Sequence, residues 1–230
     1  MMYKTVALLP MKANSERVKG KNFKNFKGKP LFRWVLDTLL SLKEIDKVVI
    51  NTDAVEILQG LGISDSDKVI IRQRKADLCG DFVSMNRIIE DDIHAIPAEN
   101  YLMTHNTNPL ITSQTFLAAI NEFVKMDKTQ FNCLFSVNAY QSRFYYENAA
   151  PVNHDPNNLI RTQDLPPLFE ENSCLYLFNK ESFNSTNARI GSLPKLFPTP
   201  FFESVDIDDE KSWALAELYY DYLETQKLIN

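Results

Sequence analysis

Residues Lys12 to Lys29, KANSERVKGKNFKNFKGK, carry Lys12, Arg17, Lys19, Lys21, Lys24, Lys27 and Lys29 against the single acid Glu16. Seven of the chain's 25 basic residues thus fall in one stretch of a protein whose formal net charge is −5. The stretch follows a short apolar run and precedes an amphipathic pattern. In α/β proteins that position binds phosphate through loop N–H groups and cations, so a polyphosphate is the matching ligand. A solvated lysine-rich loop is the competing reading; the order strand, basic loop, helix favours phosphate. Neither Gly20-Lys21-Asn22 nor Gly28-Lys29-Pro30 completes a Walker A loop, and there is no GxGxxG. Kinase and dinucleotide readings therefore lose their main support.

A second chemical segment is Ser204 to Ser212, SVDIDDEKS. If Phe201 to Ile207 is a strand, period-two alternation puts Asp206 and Asp208 on one side and Ile207 toward the core. Two such carboxylates can hold Mg²⁺, which takes oxygen ligands and keeps several waters. Alternatively Asp208 or Asp209 caps the helix that follows, which leaves Asp206 without a role. Asn51-Thr52-Asp53 can touch a ligand, but taken alone it is read as a cap for a helix starting at Ala54. Arg72, Arg74 and Asp77 to Asp81 form a charged turn. His105-Asn106-Thr107-Asn108-Pro109 is a run of hydrogen-bonding side chains suited to a polar ligand such as a sugar, or to an ordinary turn. There is no GxSxG elbow, and nothing sets a serine or cysteine beside a histidine. Chemistry run by metal and cations on a polyphosphate, without a protein nucleophile, is what remains.

The elements that must position these groups alternate. Thr5 to Leu9, Lys47 to Asn51, Lys68 to Arg72, Tyr101 to Thr104 and Phe131 to Val137 read as strands. Between them, helical stripes run through Leu31, Trp34, Val35, Thr38, Leu39 and Leu42, through Ala54 to Leu61, through Met85, Ile89, Ile93 and Ile96, and through Phe116 to Val124. Such alternation predicts βαβ units and a mostly parallel sheet covered on both faces, with ligands beyond the carboxyl ends of the strands. The pattern breaks from Ala139 to Glu170, where Phe144, Tyr145, Tyr146, Leu159 and Ile160 need burial against a subunit or against their own domain. Regular structure is expected again at Cys174 to Phe178, at Phe201 to Ile207, and in a last helix from Asp209 to about Lys227.

The 230 residues, 44% apolar and 24% charged, suit one domain with a full core and exclude disorder as the main state. No apolar run approaches the ~20 residues of a membrane span. The acidic balance argues against nucleic acid as the main partner. Three cysteines without a CxxC pair and three histidines without metal spacing make a zinc site improbable and fit a reducing, cytoplasmic setting.

Taken in order, these segments resemble the acylneuraminate (CMP–sialic acid, nonulosonic acid) cytidylyltransferases. The family's A-R-x-x-S-K-G-x-P-x-K-N loop and following G-K-P-L are similar to MKANSERVKGKN and Gly28 to Leu31. Its S/T-T-D, R-P-x-x-L-A-x-D, Q-P-T-S-P-L-R, N-G and D-I-D resemble Asn51 to Asp53, Arg74 to Asp81, His105 to Ile111, Asn172-Ser173 and Asp206 to Asp208. The resemblance covers most of the chain. It implies a three-layer, Rossmann-like α/β fold of the nucleotide-diphospho-sugar transferase kind, with a mixed, mostly parallel sheet. Residues 1–230 would form one domain, with a dimerisation ribbon inserted at 139–170.

The reaction implied couples CTP to the anomeric hydroxyl of a nine-carbon 2-keto acid sugar and releases pyrophosphate, as in surface-glycan biosynthesis. By this likeness Lys21 and Arg17 would neutralise the triphosphate, and Asp206 and Asp208 would hold Mg²⁺. Pro10, Met11, Lys12, Asn22 and Arg74 would contact the nucleotide. His105, Asn106 and Thr107 would face the sugar, and Asn172 would join the binding set. The likeness further implies a homodimer, with Arg143, Arg161 and Gln163 as candidates to meet the sugar's carboxylate.

The departures from the family pattern are specific. Lys12 replaces an arginine, which keeps charge and loses the bidentate fork. Glu16 reverses a lysine, and Arg17 follows in place of a glycine, where it can restore the cation. His105, Ile111 and Glu170-Glu171 replace a glutamine, an arginine and an arginine-proline pair. Most changes lie on the sugar side. A different base or acceptor, or a binding protein that Glu16 has disabled for catalysis, are the alternative readings.

Overall fold

Side-chain alternation along the first strand separates the two halves of the core. In the computed structural model, which describes residues 2–228, β1 (Tyr3–Leu8) sends Val6 and Leu8 into one apolar cluster and Ala7, with Leu9 after it, into another. Both faces of the sheet are covered, as an unbroken apolar run requires. On one face lie α1 (Leu31–Ser41) and α4 (Ser113–Lys125), which bury Phe32, Val35, Leu36, Phe116, Ile120 and Phe123. On the other lie α3 (Met85–Ala95) and α5 (Lys180–Thr186), with Ile89, Ile93 and Phe183 inward.

The remaining strands are β4 (Lys47–Thr52), β5 (Val69–Gln73), β6 (Ala98–Thr104), β7 (Cys133–Tyr140), β8 (Leu168–Phe178) and β9 (Pro194–Pro198). They form a seven-stranded sheet in the order β5-β4-β1-β6-β8-β7-β9. All neighbours are parallel except where β8 meets β6 and β7. This is the three-layer, mostly parallel mixed sheet expected. The chain runs outward through β4 and α2 (Val55–Gly60) to β5, then returns to place β6 on the far side of β1. That reversal opens a crevice beyond the carboxyl ends of β1 and β6. Among the described residues no helix is long and apolar enough to cross a membrane.

A third apolar cluster fixes the basic segment. Within it, β2 (Asn25–Phe26) and β3 (Lys29–Pro30) form a small antiparallel ribbon. The fully buried Phe26 ring meets Trp34 of α1 edge-on, and also Trp213 and Tyr220 of α6 (Glu210–Thr225). The final helix therefore clamps the loop that the first strand delivers.

Four expectations are corrected. Phe201–Ser204 is a short 3₁₀ turn after Pro200 rather than a strand, and it does not join the sheet. The alternation nevertheless holds: Val205 and Ile207 are buried in the third cluster, while Asp206 and Asp208 face the other way. Regular structure resumes at Leu168, not Cys174, since β7 and β8 pair out to Tyr140 and Leu168. The excursion thus spans 141–167, and Tyr145, Tyr146, Leu159 and Ile160 are exposed on it rather than packed on their own domain. Finally, α5 and β9 were not legible as elements.

Candidate active site

A cavity of about 390 Å³ lies at the carboxyl ends of β1, β5 and β6. It brings together Pro10, Met11, Lys12, Arg17, Lys21, Asn22, Arg74, His105, Asn106, Thr107 and Asp208. Eleven of the expected positions thus line one cleft, contributed by five separate stretches of chain. Asn172 does not line it. Its amide donates to Asn138 Oδ1 at 3.0 Å and Thr199 Oγ1 at 2.6 Å, pinning the irregular step of β8 where Ser173 takes a left-handed φ of 59°. Arg143 and Arg161 lie on the exposed excursion, where they meet the Ile160 carbonyl and Asp164. Neither they nor Gln163 lines the cleft of their own chain.

The basic segment divides its charge between two jobs. Lys24, Lys27 and Lys29 turn away from the cleft to pair with Glu210, Asp221 and Asp37. Lys24 and Lys29 also sit 4.3 and 4.1 Å from the ring centroids of Trp213 and Trp34. These lysines hold the segment against α6 and α1. Lys12, Arg17 and Lys21 face the cavity. The buried Lys21 donates from Nζ to the Ile207 carbonyl at 2.5 Å and lies 3.3 Å from Asp208 Oδ1. Arg17 Nη2 stands 3.2 Å from Asp208 Oδ2 and lines the cleft. Lys12 pairs with Asp81 across the mouth, and Glu16 lines the same rim beside Asp81.

Several expected ligand contacts are also structural ties. Asn22 donates to the Lys12 carbonyl at 2.7 Å and accepts from Asn106 at 2.7 Å. Arg74 gives Nε to Asn51 Oδ1 and Nη2 to the carbonyls of Met11 and Asn51. Asp53 does not cap α2, whose N-terminus has no side-chain cap; it accepts the Ala13 N–H at 2.6 Å. Behind this layer Asn51 donates to Asp92 at 2.8 Å, and Arg72 pairs with Asp92 and Asp91.

Burial pushes the Asp92 carboxyl up to about 6, with Asn51 and Arg72 opposing. A folded-state pKa above the ordinary value means that the folded protein holds this proton more tightly. The associated stability is full below pH ~3.8 and is lost as the pH rises through about 6. The expected result is that wild type loses stability relative to Asp92→Asn between pH 4 and 7. The size is on the order of 2–3 kcal/mol. Thermal melts of the two proteins across that range check it, and a pH-independent difference would return Asp92 to an ordinary carboxyl.

Asp208 lines the cleft beside Lys21 and Arg17, whereas Asp206, two residues before it, does not line it. Asp209 caps α6 in a reciprocal capping box with Ser212, so capping and carboxylate pairing both occur, on different residues. The Ser212 hydroxyl also accepts the Asp208 N–H at 2.8 Å. The Thr107 carbonyl accepts the Ile207 N–H at 2.8 Å, which ties the 105–107 turn to the acidic one. Burial raises the Asp206 pKa, Thr107 opposes and Asp208 adds to it. Asp206 Oδ1 is buried without a protein partner. Among the described residues no group of three or more His, Cys, Asp or Glu side chains forms a metal cage. A carboxylate pair with one orphaned oxygen suits a cation that draws its other ligands from phosphate and water.

Sequence reasoning missed Arg189, from the chain after α5. Its Nη1 lies 3.3 Å from His105 Nε2 and its Nη2 lies 3.2 Å from Glu171 Oε1. Its guanidinium stacks 3.9 Å from the Tyr176 ring centroid. Burial, then Arg189 and Lys21, push His105 down to about 3, so the imidazole is neutral and its Nε2 can accept from Arg189.

A cationic cleft at the switch point of a mostly parallel sheet, with the Asp208 carboxylate between two of its cations, suits a nucleotidyltransferase. The sequence model of a family described as Cytidylyltransferase matches residues 6–227, and the chain belongs to that family. Pseudaminic acid cytidylyltransferase of Campylobacter jejuni is 22% identical over 94% of this chain and 96% of that protein. N-acylneuraminate cytidylyltransferase B of Danio rerio is 26% identical over 92% of this chain and 50% of that protein. Among solved structures, CMP:2-keto-3-deoxy-manno-octonic acid synthetase complexed with CTP aligns with a TM-score of 0.64 at 15% identity, covering 98% of this chain and 100% of that one. The 4-diphosphocytidyl-2C-methyl-D-erythritol synthase of Anaerococcus prevotii aligns at 0.65 and 12% identity, over 95% and 99%. These structural likenesses establish the fold.

Proposed function

We propose that this chain transfers CMP from CTP to the anomeric hydroxyl of a nonulosonic acid and releases pyrophosphate. The observation that carries the reading is the Lys21–Asp208–Arg17 constellation facing the His105–Thr107 turn across one cleft. The similarity to pseudaminic and N-acylneuraminate cytidylyltransferases supports the class of acceptor. The acceptor oxygen bonds to the α-phosphorus as the bond to the bridging oxygen breaks, and the hydroxyl proton passes to water. Lys21 and Arg17 meet the charge that builds on the departing pyrophosphate. Preorganised cations act strongly there because the folded chain already holds them in place. Asp206 and Asp208 would hold Mg²⁺, which would supply further charge neutralisation at the phosphates when bound. Asn22, Arg74 and the backbone at Pro10 and Met11 shape the nucleotide side. Glu16 stays at the rim, and two cations remain inside, so the reading does not need a disabled site.

Pyrophosphate release is the test, with Mg²⁺, each of the four common nucleoside triphosphates and a panel of nonulosonic acids, omitting one component at a time. Release that needs CTP and a nonulosonic acid is expected. Release with CTP and an acceptor that is not a sugar acid would move the reading to another member of the fold.

In the same reading the excursion at 141–167 pairs two copies, because its exposed Tyr145, Tyr146, Leu159 and Ile160 need a cover that their own domain does not give. Sedimentation velocity should find a dimer, and Tyr146→Asp with Leu159→Asp should give a folded monomer. A monomeric wild type at micromolar concentration would remove the ribbon's role.

A further inference from the structure

Met85 lines the cleft and also a second cavity of about 280 Å³ that adjoins it. Arg189 and Glu171 line this second space. Four contacts hold Arg189 in place. Its N–H donates to Asn86 Oδ1 at 3.2 Å, its guanidinium lies on Tyr176, and its terminal nitrogens meet His105 and Glu171. Glu171 is itself anchored by the Tyr176 hydroxyl. The Arg189 side chain is about a fifth exposed, so it is fixed yet reachable.

We propose that Arg189 binds the acceptor's carboxylate and that the second cavity receives the body of the sugar acid. The inference rests on the functional reading above and assigns a residue to it. In a 2-keto acid the carboxylate shares a carbon with the reacting hydroxyl. Its cation must therefore lie next to the reacting centre yet off the path of the triphosphate. The other cations of the cleft are committed elsewhere. Lys21 and Arg17 pair with Asp208, Lys12 pairs with Asp81, and Arg74 is bonded into the chain beneath Met11. Arg189 lines the adjoining cavity rather than the cleft, and its Nη1 meets His105, which lines the cleft. Arg189 too has an acid partner, Glu171 at 3.2 Å, but its terminal nitrogens make only this contact and the one to His105 at 3.3 Å, and a guanidinium has five N–H donors. A bidentate carboxylate contact fits what is left. Glu170-Glu171 stand where the family pattern has an arginine-proline pair, and Arg189 supplies from a different element the cation absent there.

The test compares kcat/KM for a nonulosonic acid and for its carboxamide, with CTP and Mg²⁺, in wild type, Arg189→Gln and Arg189→Lys. Wild type is expected to prefer the acid by roughly 10- to 100-fold, the worth of charge-assisted hydrogen bonds. Arg189→Gln should lose that preference, with the KM for CTP and the CTP-induced thermal shift unchanged. Arg189→Lys should recover part of it, since lysine keeps the charge without the fork. A wild-type preference retained in Arg189→Gln overturns the assignment. If Arg189→Gln does not fold, an unchanged preference in Arg189→Lys overturns it equally. If wild type turns over CTP with an acceptor lacking a carboxylate and ignores sugar acids, the functional reading fails first, and the assignment falls with it.

Discussion

Asp208→Ala is expected to lower pyrophosphate release from CTP by roughly 10³-fold, while CTP binds as tightly as before or more tightly. The split follows from where the carboxylate sits. Its two oxygens are 3.3 Å from Lys21 and 3.2 Å from Arg17, so in the free protein it offsets both triphosphate cations. Removing it raises the positive potential that a polyphosphate meets, which favours binding. It also removes one of the two groups proposed to hold Mg²⁺, which would neutralise charge during transfer, so turnover falls. The fold should tolerate the change, because Asp208 is half exposed and Asp209, not Asp208, caps α6. Calorimetric CTP titration beside steady-state pyrophosphate release measures the two effects separately. Turnover at the wild-type rate would remove Asp208 from the metal-holding pair.

Lys21→Met is expected to cost about 10²- to 10³-fold in kcat/KM, with weaker CTP binding as well. Methionine matches the length of the side chain and loses the charge. The ammonium is buried at the cleft, as is Arg74, and is held by the Ile207 carbonyl at 2.5 Å and by Asp208. The substitution leaves that carbonyl without its donor, so stability should fall by about 1–3 kcal/mol. Lys21→Arg should not rescue activity, since a planar fork does not fit a buried site shaped for a compact ammonium. Single-turnover release and a denaturant melt together separate the chemical loss from the structural one. Full activity in Lys21→Met would transfer the leaving-group role to Arg17 alone.

The alternating half of the fold was legible because its strands are unbroken apolar runs and its helices carry clear apolar stripes. Val6 to Leu9, Val48 to Ile50 and the α1 stripe all lie where their periods put them. The later half was harder for physical reasons. β9, Pro194–Pro198, has a proline at each end and lies at the sheet edge, where half-exposed residues replace an apolar run. α5 is seven residues long, too short to show a stripe. Phe201 to Ile207 reads as a strand because it alternates, yet its first half is a 3₁₀ turn and only Val205 to Asp208 alternates, packed in the third cluster without a ladder.

Within the site, the cation and carboxylate positions were readable from their residue types. The partition of the lysines was not, because Lys24 and Lys27 are recruited by acids of α6 nearly two hundred residues later. Arg189 gave no signal at all. A lone arginine after an unrecognised helix gains meaning when Tyr176 and His105 are found beside it.

The bond from Lys21 to the Ile207 carbonyl joins positions 186 residues apart, and the Asn22–Asn106 bond spans 84. Contacts of such separation close late in folding, after the local βαβ units have formed. Residues through Asp208 must leave the ribosome before Lys21 of the phosphate loop gains its partners there. Nucleotide capture is thus a property the nascent polypeptide acquires only after the segment around Ile207 has been made. Fraying at the start of α6 would release that loop while the sheet stayed intact.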